Sequence, residues 1–219
     1  MIDLSCKYQN EFEALIRLFG KEEVLSKVNR LNEIHHFTES IWNEYVSSIP
    51  EGEILYLLIA EAPPWSETGR PQYFLDHKSR SRSVLNAVKK AFFPTNFSSR
   101  LSNKEVLKEL SQMGFLIIDS IPFSMDYSQS NKRSTVAYYK LISQSINGYF
   151  YEKINNPTLK WASELRIAFS LKRNALAVID ALDGRSILEK KQISIGEEQI
   201  AVNGAGYPDA NKLKKNFGL

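Results

Sequence analysis

The sequence predicts an α/β fold, a three-layer sandwich in which a central, mostly parallel four-stranded sheet lies between helices. Three observations predict it. The runs Ile54-Leu55-Tyr56-Leu57-Leu58-Ile59-Ala60 and Phe115-Leu116-Ile117-Ile118 are continuously apolar, without the alternation of a half-exposed strand. Strands of that kind are covered on both faces, as in parallel sheets. Stretches of helical periodicity alternate with the strands. The strands end in text that cannot continue a sheet, Glu61-Ala62-Pro63-Pro64 after the first and Asp119-Ser120-Ile121-Pro122 after the second.

The elements follow in order. From Glu11 to about Ser48, Phe12, Leu15, Ile16, Phe19, Val24, Val28 and Leu31 recur at helical steps, and Pro50-Glu51-Gly52 ends the region. Residues 1–50 form a helical N-terminal region packed on one α/β domain that spans 1–219. After the first strand a long loop runs to about Arg80. Ser83 to Phe92 is helical, with Val84, Leu85, Val88 and Phe92 on one face. Ser102 and Glu105 form a capping box that opens the next helix, and Gly114 closes it. A helix is predicted from roughly Ser134 to Tyr149, a third strand over Leu165–Phe169, and a helix carrying Ala175, Val178, Ile179 and Leu182 that stops at Gly184. Ile193 to Val202 predicts a hairpin turning at Gly196, with its second strand ending near Asn203. Pro208-Asp209 opens the last helix.

Composition narrows the function classes. The chain is 43% hydrophobic and 24% charged, values that support a packed core and argue against disorder. No apolar run is long enough to span a bilayer, and the first residues lack the basic and apolar regions of a signal peptide. A single cysteine excludes an internal disulfide and a self-contained iron–sulfur cluster, which favours the cytoplasm. The net charge of +3 permits nucleic-acid binding without demanding it. His35 and His36 read as surface or partly buried residues rather than metal ligands, and no cofactor is expected. A monomer without membrane contact is the expected state. Paired Gly-rich phosphate motifs are missing, which argues against dehydrogenases and kinases.

In such sheets ligands bind at the carboxyl ends of the strands. Glu61 stands directly after seven apolar residues, where partial burial raises a carboxyl pKa and suits it to activating water or stabilising positive charge. The plainer alternative is a helix-capping or salt-bridged glutamate. Asp119 ends the second strand, and its plainer role is to cap the following turn.

The string Glu61-Ala62-Pro63, then Glu67, Gly69-Arg70-Pro71 and an aromatic, resembles the first motif of the uracil-DNA glycosylase superfamily. It looks closest to the branch reading G-E-A-P-G followed by G-R-P-F. The resemblance implies that Glu61 helps activate or position water and that Tyr73 or Phe74 stacks on an extruded base. Trp65, in the same loop, would line the pocket. The strand ending in Asp119 resembles the family strand whose end carries a uracil-reading asparagine. Here it is aspartate. Asparagine both donates and accepts, which suits uracil, whereas ionised aspartate only accepts. Its natural partner is the N4 amino group of cytosine. Protonated, it could also donate to cytosine N3.

The chain departs from the family in three places. Ala60 and Pro64 replace the first motif's glycines, and the cysteines of the closest-looking branch's cluster are missing. No histidine stands in the final motif, where the chain reads Asn203-Gly204-Ala205-Gly206-Tyr207-Pro208-Asp209. Asn203 could donate a hydrogen bond there, and Tyr207 could wedge or stack. The first fifty residues resemble nothing in the family.

The resemblance implies a monofunctional DNA glycosylase without cofactor. It would hydrolyse the N-glycosidic bond of a flipped pyrimidine. Asp119 points to a cytosine-type base, for example the glucosylated hydroxymethylcytosine of phage DNA, and so to antiviral defence. A uracil-DNA glycosylase of base-excision repair, a non-catalytic nucleic-acid-binding module on the same fold and a small-molecule hydrolase remain as alternatives. DNA contacts are expected from Arg70, Lys78, Arg80, Arg82, Lys89 and Lys90 after the first motif. Lys212, Lys214 and Lys215, near a helix start suited to phosphate, add a second basic cluster.

Overall fold

The computed structural model describes residues 4–50, 53–79, 83–94, 100–127, 134–188, 195–203 and 208–219. Among them the chain forms α1 (Leu4–Lys7), α2 (Gln9–Phe19), α3 (Lys21–Ser47), β1 (Glu53–Ala60), α4 (Ser83–Phe92), α5 (Asn103–Gln112) and β2 (Phe115–Asp119). These are followed by α6 (Thr135–Asn147), α7 (Tyr149–Ile154), β3 (Lys160–Phe169), α8 (Lys172–Leu182) and α9 (Ala210–Phe217). The sheet has the order β2-β1-β3, with both pairings parallel. The predicted α/β class is therefore present, with a parallel sheet among helices.

The strand count differs from the expectation. Three strands are formed among the described residues, not four. Of the predicted hairpin over 193–202, residues 193 and 194 lie outside the described residues, and the rest forms a 3₁₀ turn at Glu197–Gln199 and two isolated bridges, Phe169 to Ile200 and Val202 to Pro208. Gln199 closes the turn by accepting from the Gly196 amide at 2.7 Å, which turns the chain before a strand can extend. Among the described residues, Ala201, donating to Phe169 O at 3.0 Å, continues the ladder beside β3.

The N-terminal helices complete the sheet. Edge strands leave outward carbonyls unpaired. All five residues of β2 are buried, so those carbonyls need partners. From α3, Trp42 Nε1 donates to Ile117 O and Tyr45 Oη donates to Phe115 O, both at 3.0 Å. The helical region expected from Glu11 to about Ser48 is divided into α2 and α3 at Gly20, whose φ of 95° is open to glycine.

One face of the sheet carries an aromatic cluster in which Tyr56 lies 5.0 Å from Phe92 of α4 and 5.5 Å from Phe217 of α9. Elsewhere α6 packs against α2 and α8. The turn into β2 needs Gly114. Its φ is 71°, and a Cβ there would lie 2.5 Å from Glu53 O. Its own carbonyl accepts from Leu55 and Tyr56 at the irregularity in β1.

Candidate functional site at the carboxyl ends of the strands

The parallel register brings the ends of β1 and β2 together. Ala60 pairs with Asp119, and the ladder runs past the strands through Ile121 N donating to Glu61 O at 2.9 Å. Ser120 Oγ also donates to Glu61 O and accepts from Asn174 Nδ2 at 2.6 Å, so the backbone under both carboxyls is fixed.

Glu61 is held through one oxygen. Tyr138 of α6 donates its hydroxyl to Oε1 at 2.6 Å, and Arg173 Nη2 of α8 donates to the same oxygen at 3.3 Å. Arg173 in turn lies 3.7 Å from the Tyr138 ring centre, a cation–π contact that orients its guanidinium. Oε2 accepts no hydrogen bond among the described residues. The Glu61 side chain is 16% exposed. Burial raises its pKa, opposed by the Tyr138 hydrogen bond and then by the Arg173 charge. A carboxylate anchored by one oxygen with the second open can take a proton from water. The salt-bridged alternative is also present in the Arg173 contact.

Asp119 is 6% exposed and makes no hydrogen bond or ion pair among the described residues. It does not cap the following turn. Burial pushes its carboxyl up to about 7. The charge of Lys153 opposes that rise, while the charges of Glu39 and Glu61 add to it. A buried acid without a partner is costly for stability alone and marks a candidate binding group. The influence of Glu61 on Asp119 places the two carboxyls in one electrostatic neighbourhood.

The surroundings of Asp119 come from three segments. Tyr73 is 4% exposed, and its ionisation is opposed by burial first and by the Asp119 charge next. Lys153 of α7 is buried, with Nζ 2.6 Å from Glu39 Oε2 and 3.6 Å from the Trp42 ring centre. Tyr149 Oη donates to Glu39 Oε1 at 3.5 Å. Burial lowers the Lys153 pKa, and the charge of Glu39 then restores part of it.

The other predicted residues divide. Phe74 turns away from the site. Its ring lies 6.0 Å from Phe115 at the opposite end of β2, so Tyr73 is the aromatic on the Asp119 side. Trp65 is half-buried, with Lys27 Nζ 5.1 Å from its ring. Arg30 Nε donates to Ser66 O at 2.8 Å and Nη2 to Gly69 O, so α3 also pins the loop after β1.

Arg70 makes two hydrogen bonds to Asp76 and lies 4.8 Å from the Phe37 ring. Lys212, Lys214 and Lys215 are exposed on α9, but Phe217 on the last turn of that helix packs against Tyr56 and Phe115. The start of α9 lies at the carboxyl end of β3, where Asp209 N donates to Ala201 O and Ala201 N to Phe169 O. Asp209 caps α9 by accepting from Lys212 N at 2.9 Å. Asn203 is exposed just past the Val202 bridge, and Tyr207 lies outside the described residues.

His35 is buried against Tyr8 and Tyr149, and burial lowers its pKa to about 4. Among the described residues no group of three or more His, Cys, Asp or Glu could hold a metal ion. Nor is any helix among them long and apolar enough to cross a membrane.

No family model, curated protein or solved structure matches the chain.

Proposed function

We propose that the chain is a monofunctional DNA glycosylase acting on a flipped cytosine-type base, as the resemblance to the uracil-DNA glycosylase superfamily implies. The observation that carries this reading is the pair of unlike carboxyls at adjacent strand ends. Glu61 is anchored with one oxygen open, and Asp119 is buried without a partner.

In the proposed reaction the C1′–N bond breaks with its electron pair leaving on the base. Glu61 stabilises the positive charge that develops on the sugar and accepts the proton of the water attacking C1′. Tyr138 and Arg173 keep Glu61 in place. Asp119 faces the Watson–Crick edge, accepting from the cytosine N4 amino group, while Tyr73 packs on the base. No lysine stands at a position of the family motif to form a Schiff base, so strand cleavage is not part of the proposed reaction. Excision of plain cytosine would damage the host genome, so a modified cytosine of foreign DNA is the fitting substrate, with defence against phage as the role.

The test is release of free base, read by mass spectrometry, from DNAs carrying uracil, cytosine, hydroxymethylcytosine or its glucosylated form. Release of a modified cytosine base is expected. Release of uracil alone would keep the chemistry and remove the role of Asp119. Binding to DNA without any release would make the chain a binding module.

A further inference from the structure

A groove of about 550 Å³ lies between α3, α5 and the loop over residues 70–79. Its floor is apolar, formed by Ile41, Tyr45, Leu75 and Leu107. Its rim is cationic. Lys78, Lys104 and Lys108 are exposed there and form no ion pair among the described residues, and His77 stands beside them. Arg70 also lines the groove, but Asp76 neutralises it. Glu44 is the one carboxylate in this lining.

A second cavity of about 440 Å³ shares His77 and Lys104 with the first and continues to Lys89, Asn86 and Asn103. The two form one trough along α5, a helix of about 15 Å. Lys104 and Lys108 stand one turn apart on that helix, roughly 6 Å between Cβ atoms. Three uncompensated lysines over an apolar floor call for an extended anion whose charges lie along one side.

We propose that this trough is a docking path for one nucleic-acid strand, with backbone phosphates on Lys78, Lys104 and Lys108 and sugar and base faces over the apolar floor. The proposal deepens the glycosylase reading and rests on it. One loop carries both Tyr73, whose ionisation the Asp119 charge opposes, and Lys78, which lines the trough, and so links the two sites along the chain. Lysines act on phosphates as point charges, and an apolar floor accepts any base.

The experiment is fluorescence anisotropy of a labelled mixed-sequence single-stranded oligonucleotide over a salt series, with the full chain. The proteins compared are the wild type, the double variant Lys104→Glu with Lys108→Glu, Lys78→Gln, and Lys160→Glu, an exposed lysine at the start of β3, as the control. The trough variants should bind about tenfold or more weakly, with a salt slope shallower by about 0.7 for each phosphate left without its lysine. The Lys160→Glu control should bind as the wild type does. Thermal unfolding should be unchanged, because the lysines are exposed.

In base release, the trough variants should raise KM and leave kcat nearly intact. Equal affinity and slope in the trough variants would overturn the proposal while base release by the wild type still stood. Lysine-dependent binding of a labelled poly-glutamate peptide, with no binding of the oligonucleotide, would overturn it in favour of an acidic protein partner.

Discussion

Tyr138 donates its hydroxyl to Glu61 Oε1 across 2.6 Å, joining α6 to the end of β1. The bond does two things. It fixes the carboxylate in one rotamer, and it favours the ionised form against burial.

Tyr138→Phe removes that support, so the Glu61 pKa rises further. The acidic limb of kcat/KM should move to higher pH by about one unit, the worth of one hydrogen bond. Arg173→Met should shift it in the same direction. A pH–rate profile of base release checks both. An unmoved limb would mean that Glu61 is not the titrating base.

Asp119 gives a second pH effect. Its carboxyl, up at about 7, binds a proton in the folded chain that an unfolded aspartate, with a pKa near 3.9, has lost by mid-acid pH. This group therefore makes stability fall as pH rises from about 4 to about 7 and adds no slope above that. Asp119→Asn should lack the slope and be the more stable chain at neutral pH, as denaturant melts at several pH values would show. Selectivity should follow the same titration. The carboxylate repels uracil O4, whereas the protonated acid can donate to it, so preference for cytosine over uracil should weaken below about pH 7.

Lys153 and Glu39 form a mostly buried pair, and removing one partner strands the other charge. Lys153→Met should destabilise the fold by about 3 kcal/mol. Adding Glu39→Gln should recover much of the loss. Urea unfolding of the single and double variants measures the coupling, and additive losses would contradict it.

Gly114→Ala tests the entry to β2. The positive φ and the 2.5 Å approach to Glu53 O both oppose a side chain. A loss of about 2 kcal/mol or more is expected in thermal unfolding.

Much of the fold was readable because its signals are local. The apolar runs of β1 and β2, the Ser102 capping box and the stop at Gly114 are each contained in a few neighbouring residues. The end of the sheet was not. The segment 193–202 reads as a hairpin turning at Gly196, yet in its described part the Gly196 amide donates to Gln199 Oε1 and a 3₁₀ turn follows.

The site divides in the same way. Glu61 and Asp119 were legible because each ends an apolar run. Tyr138, Glu39 and Lys153 sit on helices where periodicity marks a buried face but not the polar atom at its edge. Arg173 had a usable sign. It follows β3 as Glu61 follows β1, in Ser170-Leu171-Lys172-Arg173-Asn174, and the strand-end rule applied there would have found it. The choice between Tyr73 and Phe74 needed the loop's path, which depends on Arg30 anchoring Ser66 and Gly69.

The most direct test counts abasic sites in DNA containing glucosylated hydroxymethylcytosine, under single turnover, for the wild type and Glu61→Gln. Glu61→Gln keeps the size and the Tyr138 contact but cannot accept the water's proton. The account predicts abasic sites with the wild type and a loss of about a hundredfold or more in rate with Glu61→Gln, at unchanged DNA affinity. Equal rates for the two proteins would contradict it.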